Sequence, residues 1–228
     1  MSLILNIETA TKVCSVALGA DGQLLGCRET ANGKSHATHL TIMIEELLAQ
    51  CGRQLADIDA FAVSKGPGSY TGLRIGTSTA KGLCYALDKP FIAIDTLQSM
   101  ANAILGSTEK LPLLCPMLDA RRMEVYCAMY DGELQEKVPV SAVIVDQDTF
   151  SDILGEQDVL FFGDGAAKCQ AVLGANSAAT FNLDYQLSAS SMVSLSEASY
   201  ATGNFEDAAY FEPYYLKDFV AGIPKKLI

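Results

Sequence analysis

Histidine is almost absent from this chain: its 228 residues include only His36 and His39. A pair three apart could grip a metal from one helical face, but no third His, Cys, Asp or Glu lies near it in sequence. A surface or capping role is expected instead, and a Ser/His/Asp set is a poor match, because there is no nucleophile elbow and both histidines lie at a helix start. Basic residues are also short, 16 against 27 acidic for a formal charge of −11. A protein that holds nucleic acid by itself needs a cationic face to displace phosphate counterions, so autonomous RNA binding is not expected. The seven cysteines are odd in number and form no CxxC pair, which reads as reduced, mostly buried thiols. The apolar stretch Met1 to Ile7 has no basic flank and is too short to be a signal peptide or a membrane span, so a cytoplasmic protein is expected.

What is present describes a folded protein, 50% hydrophobic and 19% charged. Charge divides it unevenly: residues 1–105 hold 8 basic and 9 acidic side chains, and residues 106–228 hold 8 and 18. The split predicts a near-neutral first lobe suited to docking a partner and an acidic second lobe, whose last segment could cross back to the first. Leu3 to Glu8, Val13 to Leu18 and Gln23 to Glu29 read as a three-stranded meander. A helix (Thr38 to Gln50), a strand (Ile58 to Ser64), a helix (Thr71 to Leu87), a strand (Pro90 to Ile94) and a helix (Leu97 to Ile104) follow. The second half reopens with strands Leu113 to Leu118, Val125 to Tyr130 and Glu133 to Val138, then Asp148 to Leu154 (helix), Val159 to Phe162 (strand) and Ala167 to Leu173 (helix). Two meanders, each followed by alternating helix and strand, point to duplicated βββαβα lobes; a single large α/β sheet is the alternative.

The loudest local signal is Lys65-Gly66-Pro67-Gly68-Ser69-Tyr70-Thr71-Gly72-Leu73-Arg74-Ile75-Gly76. It sits between a strand and a helix, where backbone amides can face a phosphate, yet it matches neither the Walker nor the dinucleotide template, nor a Gly-x-Ser-x-Gly elbow. Gly72, Gly76 and Ala80 recur every four residues and clear a smooth strip on the helix, which invites close approach of a second helix. Spacing leaves open whether that helix is the chain's own Thr38 to Gln50 or one of another subunit.

Two acids end strands that open the two halves: Glu8 in Asn6-Ile7-Glu8-Thr9-Ala10-Thr11, and Asp119 in Leu118-Asp119-Ala120-Arg121-Arg122. In the two-lobed α/β architecture of actin, sugar kinases and heat-shock proteins, each lobe opens with such an acid and a glycine hairpin that wraps ATP phosphates. Here Ala10, Ala120 and Arg121 put side chains where bare backbone would be needed, so a degenerate cleft is expected from Glu8, Thr9, Asp119 and Arg121. Gly163-Asp164 after a strand resembles that architecture's adenosine loop, and a plain turn explains it equally well.

These motifs together resemble the TsaB family, also called YeaZ. The stretch Gly66 to Gly76 with Ala80-Lys81-Gly82-Leu83, the motif Asp119-Ala120-Arg121 with Glu124-Val125-Tyr126, and the ends Asn6 to Thr11 and Pro213-Tyr214-Tyr215-Leu216 carry the resemblance over nearly the whole chain. Glu8 is often Asp in the family, Tyr70 often Phe, and Lys217 stands where Arg is usual. The resemblance implies the actin/sugar-kinase/heat-shock-protein (ASKHA) fold and a non-catalytic paralogue of TsaD, which transfers threonylcarbamoyl to the adenosine next to the tRNA anticodon. It implies a heterodimer with TsaD through the first-lobe helices, with TsaE docking on the pair and tRNA met only through the complex. A homodimer through the same helices is implied when the chain is alone. No catalytic residue, cofactor or metal is expected. The implied interface is His36, His39, Leu40, Met43, Leu47, Tyr70, Gly72, Leu73, Gly76, Ala80 and Leu83, and a bulky residue at Gly76 should abolish activation without unfolding the chain. The competing reading is an ATP-dependent phosphotransferase using Glu8 or Asp119; a peptidase lacks a credible nucleophile and base.

Overall fold

The strand Leu3–Glu8 (β1) is buried along its whole length, including Asn6 and Glu8 on one face, as only a central strand covered on both sides can be. The computed structural model describes residues 2–30, 36–105 and 112–217 and places β1 in the middle of a five-stranded sheet. Its antiparallel neighbour Cys14–Ala20 (β2) pairs in turn with Gln23–Thr30 (β3), and on the other side run the parallel strands Ala60–Gly66 (β4) and Phe91–Asp95 (β5), giving the order β3-β2-β1-β4-β5. A second sheet repeats the pattern with Leu113–Asp119 (β6) central, antiparallel Glu124–Tyr130 (β7) and Glu136–Ile144 (β8) to one side, and parallel Val159–Phe162 (β9) and Ala179–Asn182 (β10) to the other. The two sheets therefore have one topology, β8-β7-β6-β9-β10 matching the first strand for strand, and the duplication expected from the meanders is present.

Alternation along β1 sorts its side chains between two layers. Leu3, Leu5 and Ile7 meet two helices, His36–Gln50 (α1) and Tyr70–Leu87 (α2), through Leu40, Met43, Ile44, Leu47, Leu48, Ala80 and Cys84. A fully buried Leu such as Leu40 or Leu47 contributes about 2 kcal/mol by leaving water. Ile4 faces the opposite side, where Ala60, Ala62, Ile92 and Ile94 meet Met192 of a short 3-10 turn (Ala189–Met192) that leads into helix Val193–Ala201 (α6). Helix Thr96–Ile104 (α3) joins the halves, packing Leu97, Met100 and Ala101 against Leu114, Leu118 and Phe162 of the second sheet. The far face of that sheet is covered by Ser151–Glu156 (α4) and Ala166–Leu173 (α5) through Leu154, Cys169 and Leu173.

The elements differ from expectation in particular ways. The third strand of the second meander starts at Glu136 rather than Glu133, because the Asp131 carboxylate accepts the amide protons of Glu133 and Gln135 and holds those residues in a turn. β10, the 3-10 turn and α6 carry no strong sequence pattern and were not anticipated. From α6 onward the chain runs along the first sheet: Glu206 bridges to Phe91, and the Tyr214 amide donates to the Lys65 carbonyl at 2.7 Å. The expected boundary after residue 105 adjoins 106–111, outside the described residues, as does the stretch 218–228 of the last segment. No helix among the described residues is long and apolar enough to cross a membrane.

Candidate functional site

The glycine-rich stretch after β4 is a docking joint within the chain. Ser69 caps α2 by accepting the Gly72 amide proton, and its own amide donates to the Ala10 carbonyl at 2.7 Å. The start of α2 thus lies directly on the turn Thr9-Ala10 that follows β1. A Cβ on Gly72 would fall inside the van der Waals radius of the Thr9 carbonyl oxygen, and one on Gly76 would overlap Thr9 Oγ1. Gly72, Gly76 and Ala80 are buried against the chain's own β1, β4 and their turns, as is Leu73, which is 0% exposed. The small-residue strip therefore cannot be a surface for another protein, and a bulky residue at Gly76 would damage the fold, contrary to both expectations. The strip does pack closely, but Gly72 and Gly76 receive Thr9 of the turn after β1 and not the expected second helix.

The other interface candidates divide by face. Leu40, Met43 and Leu47 are buried inward, His36 gives a ring nitrogen to a 2.9 Å hydrogen bond with the Thr11 carbonyl, and His39 is exposed. Tyr70 is half-buried, packed against Tyr215 at 4.8 Å between ring centroids with the rings tilted by 40°, and covered by the Arg74 guanidinium at 4.4 Å. Leu83 alone among the apolar candidates reaches outward, into a groove of about 450 Å³ between α1, α2 and the 3-10 turn Leu55–Asp57, lined also by Ile44, Leu48 and Leu55. The same two helices expose two apolar side chains outside the groove lining that the sequence did not single out, Ile42 at 50% exposure and Tyr85 at 91%. Helical periodicity gave the two faces, but the buried face was the more apolar and drew attention away from the outer one.

The two strand-end acids have opposite surroundings. Glu8 is fully buried; its Oε1 accepts from the Ala10 amide at 2.6 Å and the Ser64 hydroxyl at 2.8 Å, while Oε2 has no partner. Desolvation pushes its pKa up from 4.5 to about 7 despite those bonds. Asp119 is exposed at the end of β6. Burial raises its pKa in part, but the bound Lys168 ammonium and the Arg121 amide outweigh that and hold it below the usual carboxylate value. Its amide donates to Asp164, whose carboxyl is pushed up by desolvation.

Asp119, Gly163 and Asp164 line one cavity of about 150 Å³ between the lobes, together with Lys12, Tyr185 and Gln186. Glu8, Thr9 and Arg121 do not line it: Glu8 and Thr9 are buried, and Arg121 is exposed on the β6–β7 turn. Gly163 has φ 102° and packs against the Met117 carbonyl, so backbone geometry alone accounts for that glycine. The cleft residues are thus only partly brought together, and Lys168, 49 residues from Asp119 in sequence, was not foreseeable as its partner. Among the described residues no group of three or more His, Cys, Asp or Glu could hold a metal ion.

A family model described as TsaD, tRNA N6-adenosine threonylcarbamoyltransferase, matches residues 29–225. A Bacillus subtilis protein named tRNA threonylcarbamoyladenosine biosynthesis protein TsaB is 33% identical over 165 residues, 70% of each chain. The chain belongs to the TsaB family. The Escherichia coli protein of the same name is 38% identical over 130 residues, 57% of this chain and 55% of its own length, so the match spans little more than half of that relative. A solved structure titled YeaZ from Pseudomonas aeruginosa superposes with a TM-score of 0.78 at 28% identity, covering 95% of this chain and all of that one. A 2-hydroxyisocaproyl-CoA dehydratase activator from Clostridium difficile, solved with bound ADPNP, shares the fold at a TM-score of 0.52 and 9% identity. In this chain Gly66–Gly76, the Thr9-Ala10 turn and Tyr214-Tyr215 form one packed unit: Tyr214 closes over Gly66, and the Tyr215 hydroxyl accepts from Arg74 Nε at 3.2 Å.

Proposed function

We propose that this chain is the accessory subunit that binds TsaD and activates it for threonylcarbamoyl transfer to the tRNA adenosine next to the anticodon, with no catalytic centre of its own. The observation that carries the reading is the apolar groove between α1 and α2, lined by Ile44, Leu48, Leu55 and Leu83, on a helical pair that also exposes Ile42 and Tyr85. An apolar groove and exposed apolar side chains on one helical pair support an interaction surface, and the pair fits the equivalent pair of a paralogue with the same fold. The partner's active arrangement is then stabilised by burying these faces, so activation follows mass action and saturates with this chain. TsaE docks on the heterodimer, tRNA is met through the assembled complex, and the same face supports a homodimer when TsaD is absent. The setting is cytoplasmic.

The phosphotransferase reading is disfavoured by the acids themselves. Glu8 is sealed from the cavity and Asp119 already holds Lys168, so neither offers a free carboxylate to a metal-bound nucleotide. The interface is tested by replacing Leu83 and Tyr85 with Glu. Thermal stability should stay near that of the parent, while activation of TsaD falls at least about tenfold at subsaturating concentration. Full activation by the double variant would refute the outer-face interface.

A further inference from the structure

The acidic half of the chain carries two adjacent arginines that its own carboxylates leave uncompensated. Most basic side chains here have partners within the chain: Lys65 pairs with Asp95, Lys168 with Asp119, Lys217 with Glu124, and Lys81 donates to two carbonyls. Arg121 and Arg122 are exposed at the β6–β7 turn, and among the described residues neither side chain makes an ion pair or hydrogen bond. The nearby acids are already occupied, Asp119 by Lys168 and the Arg121 amide, and Glu124 by Lys217. The turn therefore projects two net positive charges from a lobe with a large acidic excess. Both residues hold left-handed backbone, φ 72° and 50°, where glycine would be less strained.

We propose that the Arg121–Arg122 turn contacts the phosphate backbone of the RNA substrate in the assembled complex, an inference that rests on the accessory role proposed above. Guanidinium forks bind phosphate oxygens in pairs, and two neighbouring forks on an exposed turn suit an extended polyanion. A free nucleotide is the poorer fit: the adjoining cavity of about 150 Å³ is below the size of ordinary cofactor pockets, and two carboxylates line it. The contact positions RNA without reading its bases, so it does not conflict with the chain's inability to hold RNA alone.

The test compares the parent, the double variant Arg121→Ser/Arg122→Ser, the Lys/Lys double variant and Arg122→Gly in threonylcarbamoyl transfer by the reconstituted complex. The Ser pair should raise KM for tRNA by about tenfold with kcat unchanged, and should lower the slope of log Kd against log salt by about 1.5. The Lys pair should recover most of the affinity. Arg122→Gly should weaken tRNA binding while keeping or raising Tm, a combination that a purely structural arginine would not give. An unchanged KM and salt slope in the Ser pair would overturn the proposal, as would lost transfer at unchanged tRNA KM with more of this chain needed for saturation, which would mean that the turn docks a protein. Direct tRNA binding by the assembled complex gives a readout separate from transfer. The Ser pair should weaken it and lower its salt slope; unchanged binding overturns the contact even if the complex is active, whereas weakened binding by a complex whose transfer does not depend on this chain supports the contact and refutes the accessory role.

Discussion

Glu8 and Asp119 occupy the same place in two copies of one topology, the last residue of the central strand where it turns into its antiparallel neighbour. In the first lobe the place is closed by packing: α2 lies on Thr9-Ala10 through Gly72 and Gly76, and Glu8 is shut in with one oxygen unpartnered. In the second it is closed by charge: Lys168 reaches across from α5 to Asp119 and the strand end stays in water. Equivalent carboxylates can thus be withdrawn from ligand chemistry by opposite means, with opposite shifts of acidity. The packed lobe keeps a helical pair with Ile42 and Tyr85 exposed, and the charged lobe a turn whose arginines find no acid among the described residues.

The difference is broken most severely on the packed side. Gly72→Leu or Gly76→Leu drives a side chain into Thr9 and should cost about 3 kcal/mol or more, read as a large fall in Tm or loss of soluble protein. Retention of the parent's Tm would show that α2 does not rest on that turn.

A smaller effect separates the two acids by pH. Glu8 has a folded pKa of about 7 against 4.5 unfolded, so the folded chain binds more protons between these values and stability falls as pH rises from 4.5 to 7, then levels. This group alone should remove about 3 kcal/mol across the window, and Glu8→Gln should abolish that slope in denaturant titrations at several pH values. The comparison arm is Lys168→Met, which frees the exposed Asp119 and should cost only about 1 kcal/mol or less. Equal effects at the two sites would erase the distinction between packing and charge.

Much of the fold was legible because apolar runs and glycine turns mark it locally. β1, β2 and both meanders stand out from Leu3-Ile4-Leu5, the Gly19 to Gly22 turn and Asp131-Gly132. α6 and the turn before it were not, because the apolar residues that anchor them, Ala189, Met192 and Val193, form no long stripe and stand among serines that make polar contacts: Ser191 bonds Ser99 at 2.7 Å, and Asn102 reaches the Ser191 carbonyl. The direction in which the candidate residues point was not legible. A strip of Gly72, Gly76 and Ala80 looks the same in sequence whether it receives Thr9 or a foreign helix, and only the fold shows that the exposed side belongs to Ile42, Leu83 and Tyr85.

The most direct measurement is threonylcarbamoyl transfer to tRNA at fixed TsaD, TsaC, TsaE, ATP, threonine and bicarbonate, with this chain titrated from zero. The account predicts little product without it and a saturating rise as it is added. Equal product at zero and at saturation would contradict the accessory role.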